Sequence, residues 1–259
     1  MKNIVIALFS LLTCFAASAQ KDTKVELPPI VFKGKLTFER KVNMHKQMEG
    51  FMKDRPEMAS MMETFKKQIP KYRTDIFELT FTDKQSLYKP APNGLMELKG
   101  MMGSFPADKN IIFNDYEKQQ AIAEKDVFEK VYLLNDSLKN FKWKITEEFR
   151  KVAGFNCRRA ETIILDSVYV IAFYTDQILA QGGPEGFNGL PGMILGIVMP
   201  RLNLTYFATN YENYVADEKI LVPPTKGTKK KSSELEADLK ENTKQWGEFA
   251  NRLLWYINL

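Results

Sequence analysis

The sequence predicts a mainly β (α+β) fold: one large curved antiparallel sheet, a Met-rich helical insertion and a C-terminal amphipathic helix. Three observations lead there. Apolar and polar residues alternate over several stretches, the pattern of strands with one buried and one wet face. Turn residues separate these stretches at a spacing of about ten residues, which favours a meander over βαβ units. Two segments abandon the alternation for spacings of three and four, the mark of amphipathic helices.

The N-terminus reads as a secretory signal peptide over residues 1–19. Lys2 supplies the positive start, Ile4 to Ala16 a short apolar stretch, and Ala17-Ser18-Ala19 the small residues before a cleavage site at Gln20. Cys14 offers a second reading, a lipoprotein acylated after cleavage, although Thr13 stands where such sites want Gly, Ala or Ser. No later stretch holds ~18 uninterrupted apolar residues, so no transmembrane helix is expected. The expected location is the periplasm, or the periplasmic side of the outer membrane, of a Gram-negative bacterium. Without the leader the chain keeps 36 basic against 32 acidic side chains, spread along its length. That mild balance does not point to nucleic acid.

The β-domain is expected over residues 20–222. Lys35 to Lys41 places Leu36 and Phe38 opposite Thr37 and Glu39. Thr74 to Thr82 sets Phe77, Leu79 and Phe81 against Ile76, Glu78 and Thr80. Phe141 to Ile145 alternates strictly, and Ser167 to Tyr174 is rich in β-branched and aromatic residues. Turns are expected at Thr82-Asp83-Lys84, Pro92-Asn93-Gly94, Asn135-Asp136-Ser137 and Ala153-Gly154. Between the first two strands, residues 44–69 carry Met48, Phe51, Met52, Met58, Met61, Met62, Phe65 and Ile69 at helical spacing. Asp54-Arg55-Pro56 would start a second half and Pro70 would end it, giving a broken helix or two short ones.

Residues 223–233 read as a basic linker, extended at Pro223-Pro224 and charged at Lys229-Lys230-Lys231. Residues 234–259 read as one amphipathic helix. Ser233 to Glu236 looks like a capping box, and Leu235, Leu239, Thr243, Trp246, Phe249, Ala250 and Leu253 form a stripe. That stripe is expected to dock on the protein's own sheet, or else on a partner or a membrane surface.

The run Phe187 to Ile197 carries the densest punctuation in the chain. Gly183-Pro184 makes a turn, and Gly189-Leu190-Pro191-Gly192 makes a corner that feeds the apolar strand Met193-Ile194-Leu195. The corner serves as packing or, in a functional reading, as a ligand- or partner-binding site. With Gly154-Phe155-Asn156-Cys157-Arg158-Arg159-Ala160 and Val170 to Ile178, this stretch resembles the GLPGLI family of exported bacterial proteins, with Met193 in place of the second Leu of the name. The resemblance implies a signal peptide and an antiparallel β-domain, and brings no activity with it. The Met-rich insertion and the basic linker with its helix are departures from that pattern.

Catalysis finds little support. His45 is the single histidine, far in sequence from Cys157, and Glu147-Glu148 would point to opposite faces of a strand. There is no HExxH, CxxC, P-loop or Gly-x-Ser-x-Gly. Cys157, the one cysteine left after processing, is a free thiol, buried or used. A copper(I) site is one alternative: Met44, Met48 and Met52 repeat every four residues beside His45, and thioethers favour that soft ion. The expectation is a non-enzymatic envelope protein that binds a partner protein or an apolar ligand, the helices covering a greasy cavity in a curved sheet. An enzyme with an unrecognised site is the remaining alternative.

Overall fold

A computed structural model describes residues 31–53, 57, 59–96, 108–213 and 221–259. The expected leader, Asp54-Arg55-Pro56 and Met58 lie outside these residues. The protein is mainly β, built on one large sheet. Its strands are β1 (Gly34–Asn43), β2 (Tyr72–Phe81), β3 (Gln85–Pro90), β4 (Ile111–Asp115), β5 (Gln120–Val127), β6 (Lys130–Ser137), β7 (Lys144–Val152), β8 (Phe155–Ile164), β9 (Val168–Thr175), β10 (Met193–Met199), β11 (Leu204–Glu212) and β12 (Thr228–Lys230). In space the order is β12-β6-β5-β4-β3-β2-β1-β11-β10-β9-β8-β7. The neighbours pair antiparallel, except that β12 runs parallel to β6.

Alternation decides which face turns inward. Leu36 and Phe38 of β1 sit opposite Leu79 and Phe77 of β2, and all four are fully buried. Strand β10 is instead a continuous apolar run buried on both faces, interrupted only at Val198. The sheet is strongly coiled. Residues Pro184–Gly186 touch β10 and also β3 and β4, although β4 stands five places from β10 in the sheet. One continuous core therefore joins Phe38, Phe77 and Tyr88 to Cys157, Val170, Ile194 and Leu204.

Two helices fill the insertion. α1 (Met44–Met52) starts where the Asn43 side chain accepts the Lys46 N–H, and α2 (Ala59–Gln68) follows. Met48, Met62 and Phe65 form a small cluster of their own between them.

Four expectations are corrected. Phe141 and Trp143 lie before β7 rather than in it; their rings pack on Phe187 and hold the corner loop. Asn135-Asp136-Ser137 belongs to β6, because the hairpin turns earlier, at Phe128-Glu129, where both residues have positive φ. The basic linker is not plain linker: Thr228–Lys230 adds β12 to the β6 edge and covers it with charged side chains. The C-terminal helix is two helices, α3 (Ser232–Asn242) and α4 (Glu248–Ile257). α3 begins earlier than the expected box, with Glu234 accepting the Lys231 N–H (2.9 Å). It stops because the Thr243 hydroxyl bonds back to the Leu239 carbonyl (2.6 Å) and Gly247 takes a positive φ. Leu235, Leu239, Leu253, Leu254 and Ile257 then pack on Val127 and Leu134 of the sheet.

Candidate functional site

Charged residues stand in phase with the buried faces of β1 and β2. Arg40 follows Leu36 and Phe38; Arg73 and Asp75 precede Phe77 and Leu79. Registry places Arg40 opposite Asp75, and Asp108 completes a buried quartet. Arg40 donates to Asp75 (2.7 Å) and Asp108 (3.1 Å), and Arg73 donates to Asp75 (3.1 Å) and Asp108 (2.5 Å). Asp75 also accepts the Met96 N–H (2.8 Å). Such charges are tolerated out of water only because each has partners on several sides.

The corner loop delivers a fifth charge. Glu185 has φ 53° and ψ 25°, a left-handed conformation that costs a non-glycine residue about 1–3 kcal/mol and persists only where its surroundings impose it. Those surroundings are Asn110 Nδ2 (2.8 Å) and the Tyr206 hydroxyl (3.0 Å), both donating to the carboxylate, which is buried. Burial first, and then the Glu185 carboxylate, push the hydroxyls of Tyr206 and Tyr88 well up, so both remain protonated. Beneath Glu185 a cavity of about 20 Å³ is bordered by Asn110 and Gln47, whose Oδ1 and Oε1 atoms are buried without a protein donor. That space suits a single water.

On the other side of Glu185 the structure opens. A cavity of about 510 Å³ lies between the inward faces of β4, β5 and β6 and the covering helices α3 and α4. Its walls include Ile112, Ala121, Ala123, Leu134, Leu235 and Ile257. Two lysines project into this apolar setting. Lys125, in phase with Ala121 and Ala123 on β5, is buried and donates to the main-chain oxygens of Ile257 (2.8 Å) and Leu259 (2.7 Å). Lys139, on the exposed rim, donates to those of Asn258 (2.6 Å) and Leu259 (2.7 Å). Both ammonium groups thus meet the carbonyl end of α4, where the helix dipole favours cations. Burial, reinforced by Lys139 and opposed by Glu185, brings the Lys125 ammonium down to about 7. Asp136, on the same wall, is engaged by the Ser232 N–H (3.0 Å) and hydroxyl (2.7 Å).

The residues singled out from sequence fall elsewhere. In the corner, Gly183, Pro184, Leu190 and Gly192 are buried, while Gly189 and Pro191 face outward. Gly192 has φ 139°, and a Cβ there would stand 2.1 Å from the Thr175 carbonyl oxygen. The Trp143 indole donates to the Asn188 carbonyl (2.8 Å) and steadies the loop. The proposed copper ligands are divided: Met44 belongs to the central core, Met48 to the helical cluster, Met52 packs at that cluster's margin, and His45 Nε2 contacts the Ile69 carbonyl (2.9 Å). Cys157 is fully buried on β8, and desolvation pushes its thiol up to about 12. Glu147 and Glu148 form surface ion pairs with Arg158 and Arg159.

Sequence reading passed over Arg40, Arg73, Asp75, Asp108, Lys125, Lys139 and Glu185. The phase of the first three and of Lys125 was the available signal, since a charge in register with an apolar face must find a buried partner or a cavity. Glu185 was marked by standing between Gly183-Pro184 and Gly186.

Comparison with known proteins supports the fold and goes no further. A family described as "Protein of unknown function (Porph_ging)" matches residues 161–196, from the end of β8 into β10. That is a similarity, over the corner stretch alone, to a family of unknown function; the GLPGLI name expected from the motif is not the name it carries. No curated protein matches. Two solved structures of PNGF-II, in C2 and P21 space groups, superpose with TM-scores of 0.51 and 0.50 at 15% identity, each covering 80% of this chain. The match takes up only 32% and 33% of those chains, so this protein spans about a third of their length. At that identity the likeness is one of fold.

Proposed function

We propose that this is a non-enzymatic exported envelope protein that holds a small apolar or amphipathic ligand in the cavity under α3 and α4. The observation that carries the reading is the cavity itself: its volume of about 510 Å³ sits within the ~300–1,000 Å³ range of small-molecule sites, and apolar walls meet a few convergent polar groups. The leader-like residues 1–19 support export.

Native mass spectrometry of the full chain, extracted gently from its envelope, tests the reading. The expected result is a small apolar molecule retained under mild conditions, and displaced by a fluorescent alkyl probe. A chain that arrives empty and binds no alkyl probe in titration overturns it.

A further inference from the structure

We propose that the cavity selects a single-chain amphiphile with an uncharged, hydroxyl-bearing head, whose O–H groups donate to Asn114 and Asp136 across Ala121. The inference rests on the ligand-binding reading above and adds the chemistry of the head group.

The charged side chains described on the cavity wall already have partners. Lys125 and Lys139 donate to main-chain oxygens of residues 257–259, and both reach Leu259. Glu185 accepts from Asn110 and Tyr206, and Asp136 accepts from Ser232. An anionic head would find both ammonium groups occupied and two carboxylates on the same wall. A cationic head would face the two ammonium groups, and Asp136, which would attract it, already interacts with Lys139. Either ion would leave water for a site with no counter-charge to spare, and burial of an unpaired charge is heavily penalised. The wall therefore favours a neutral guest.

Strand register sorts that wall into rows. Ile112, Ala123 and Leu134 stand abreast on β4, β5 and β6, and with Ile257 of α4 they make an apolar middle for an alkyl chain. In the next inward row Asn114, Ala121 and Asp136 stand abreast. Asn114 is buried, and its Nδ2 donates to the Tyr116 hydroxyl (3.5 Å). No donor among the described residues reaches its Oδ1. Asp136 receives both Ser232 groups on Oδ2, and no donor among the described residues reaches its other oxygen. The small side chain of Ala121 keeps the space between the two acceptors clear. Neighbouring strands lie ~4.8 Å apart, so the two backbones are about 10 Å apart and their side chains reach toward a glycerol-sized head between them. Acceptors on both sides of one space call for a guest that donates. A hydroxyl does so; a carboxylate, an ester and a quaternary ammonium do not. A guest without a donor would cover these oxygens and leave them unpaired, which is the basis for rejecting it.

The test is displacement of a fluorescent alkyl probe from the full chain by 1-decanoylglycerol, methyl decanoate, decanoate and decyltrimethylammonium, repeated on Asn114→Leu and Ala121→Leu. The glyceride is expected to bind about 10-fold or more tightly than each of the other three compounds. Asn114→Leu removes one acceptor and should cut that advantage several-fold while methyl decanoate binding holds. Ala121→Leu fills the space between the acceptors and should cut it by a route that leaves Asn114 in place, so the prediction survives if either variant fails to fold. Circular dichroism establishes which variants are folded. Methyl decanoate or either ion binding as tightly as the glyceride overturns the inference and leaves the ligand-binding reading standing, as does a glyceride advantage unchanged in the folded variants. Failure of the probe and of all four compounds to bind overturns both.

Discussion

On the β8–β11 flank, the inward face of the sheet is closed by chain that is near in sequence. The corner loop follows β9 directly, folds over the concave face and enters β10, and Cys157, Ala160, Val170, Ala172 and Ile194 are left with no exposed surface. On the β4–β6 flank the cover comes from α3 and α4, about a hundred residues further along, and a cavity of about 510 Å³ lies beneath. The first flank is filled by small residues and tight glycine turns, the second by a lid that leaves room. Close packing near the density of a crystal is the ordinary state of a protein interior. The open flank is therefore the departure, and it is where the charged side chains at Lys125 and Lys139 face an apolar wall.

Between the two flanks stands the Arg40–Arg73–Asp75–Asp108 quartet, and it gives the comparison its hardest test. If the quartet is the fixed boundary between packed and open regions, removing its centre should be felt across the whole fold. Asp75→Ala leaves Arg40 and Arg73 with a single shared carboxylate in a dry setting, so a loss of about 3–5 kcal/mol is expected. Denaturant unfolding followed by far-ultraviolet circular dichroism measures it. A cost below ~1 kcal/mol would mean that the quartet is wet in solution and that the packed interior stops short of it.

The packed flank and the central strands β1 and β2 were legible in the sequence, and the open flank was not. The phases of Leu36, Phe38, Phe77 and Leu79, the turn at Ala153-Gly154 and the buried run at Met193–Ile197 all follow from local pattern, because period and turn chemistry are properties of neighbours along the chain. The site depends on which distant segments meet. The phase of Lys125 marks it for the inward face, but its partners arrive only when α4 is laid across β5, and Asp108 meets Arg40 across 68 residues of chain. The Met-rich stretch drew attention as a copper site for the opposite reason: its spacing is local, but the helix divides Met44 and Met48 between separate clusters. The split of the C-terminal helix was written in Thr243 and Gly247, whose back-bonding hydroxyl and positive φ outweigh the apolar periodicity running through them.

The same substitution made once on each flank sharpens the contrast at smaller amplitude. Ala160 on β8 is fully buried in the central core and paired with Ala172 and Ile145. Ala160→Leu is expected to cost about 1–3 kcal/mol through overpacking. Ala123 on β5 lines the cavity, so Ala123→Leu adds its methyl groups to open volume and should change stability by less than about 1 kcal/mol. It should nevertheless weaken binding of alkyl compounds, because the added side chain occupies space the ligand needs. Thermal melts of the two variants, with alkyl titration of the second, decide the matter together. Equal costs on both flanks would show that the space under α3 and α4 is closed in solution. A silent Ala123→Leu that still binds alkyl chains with full affinity would place the ligand somewhere other than against β5.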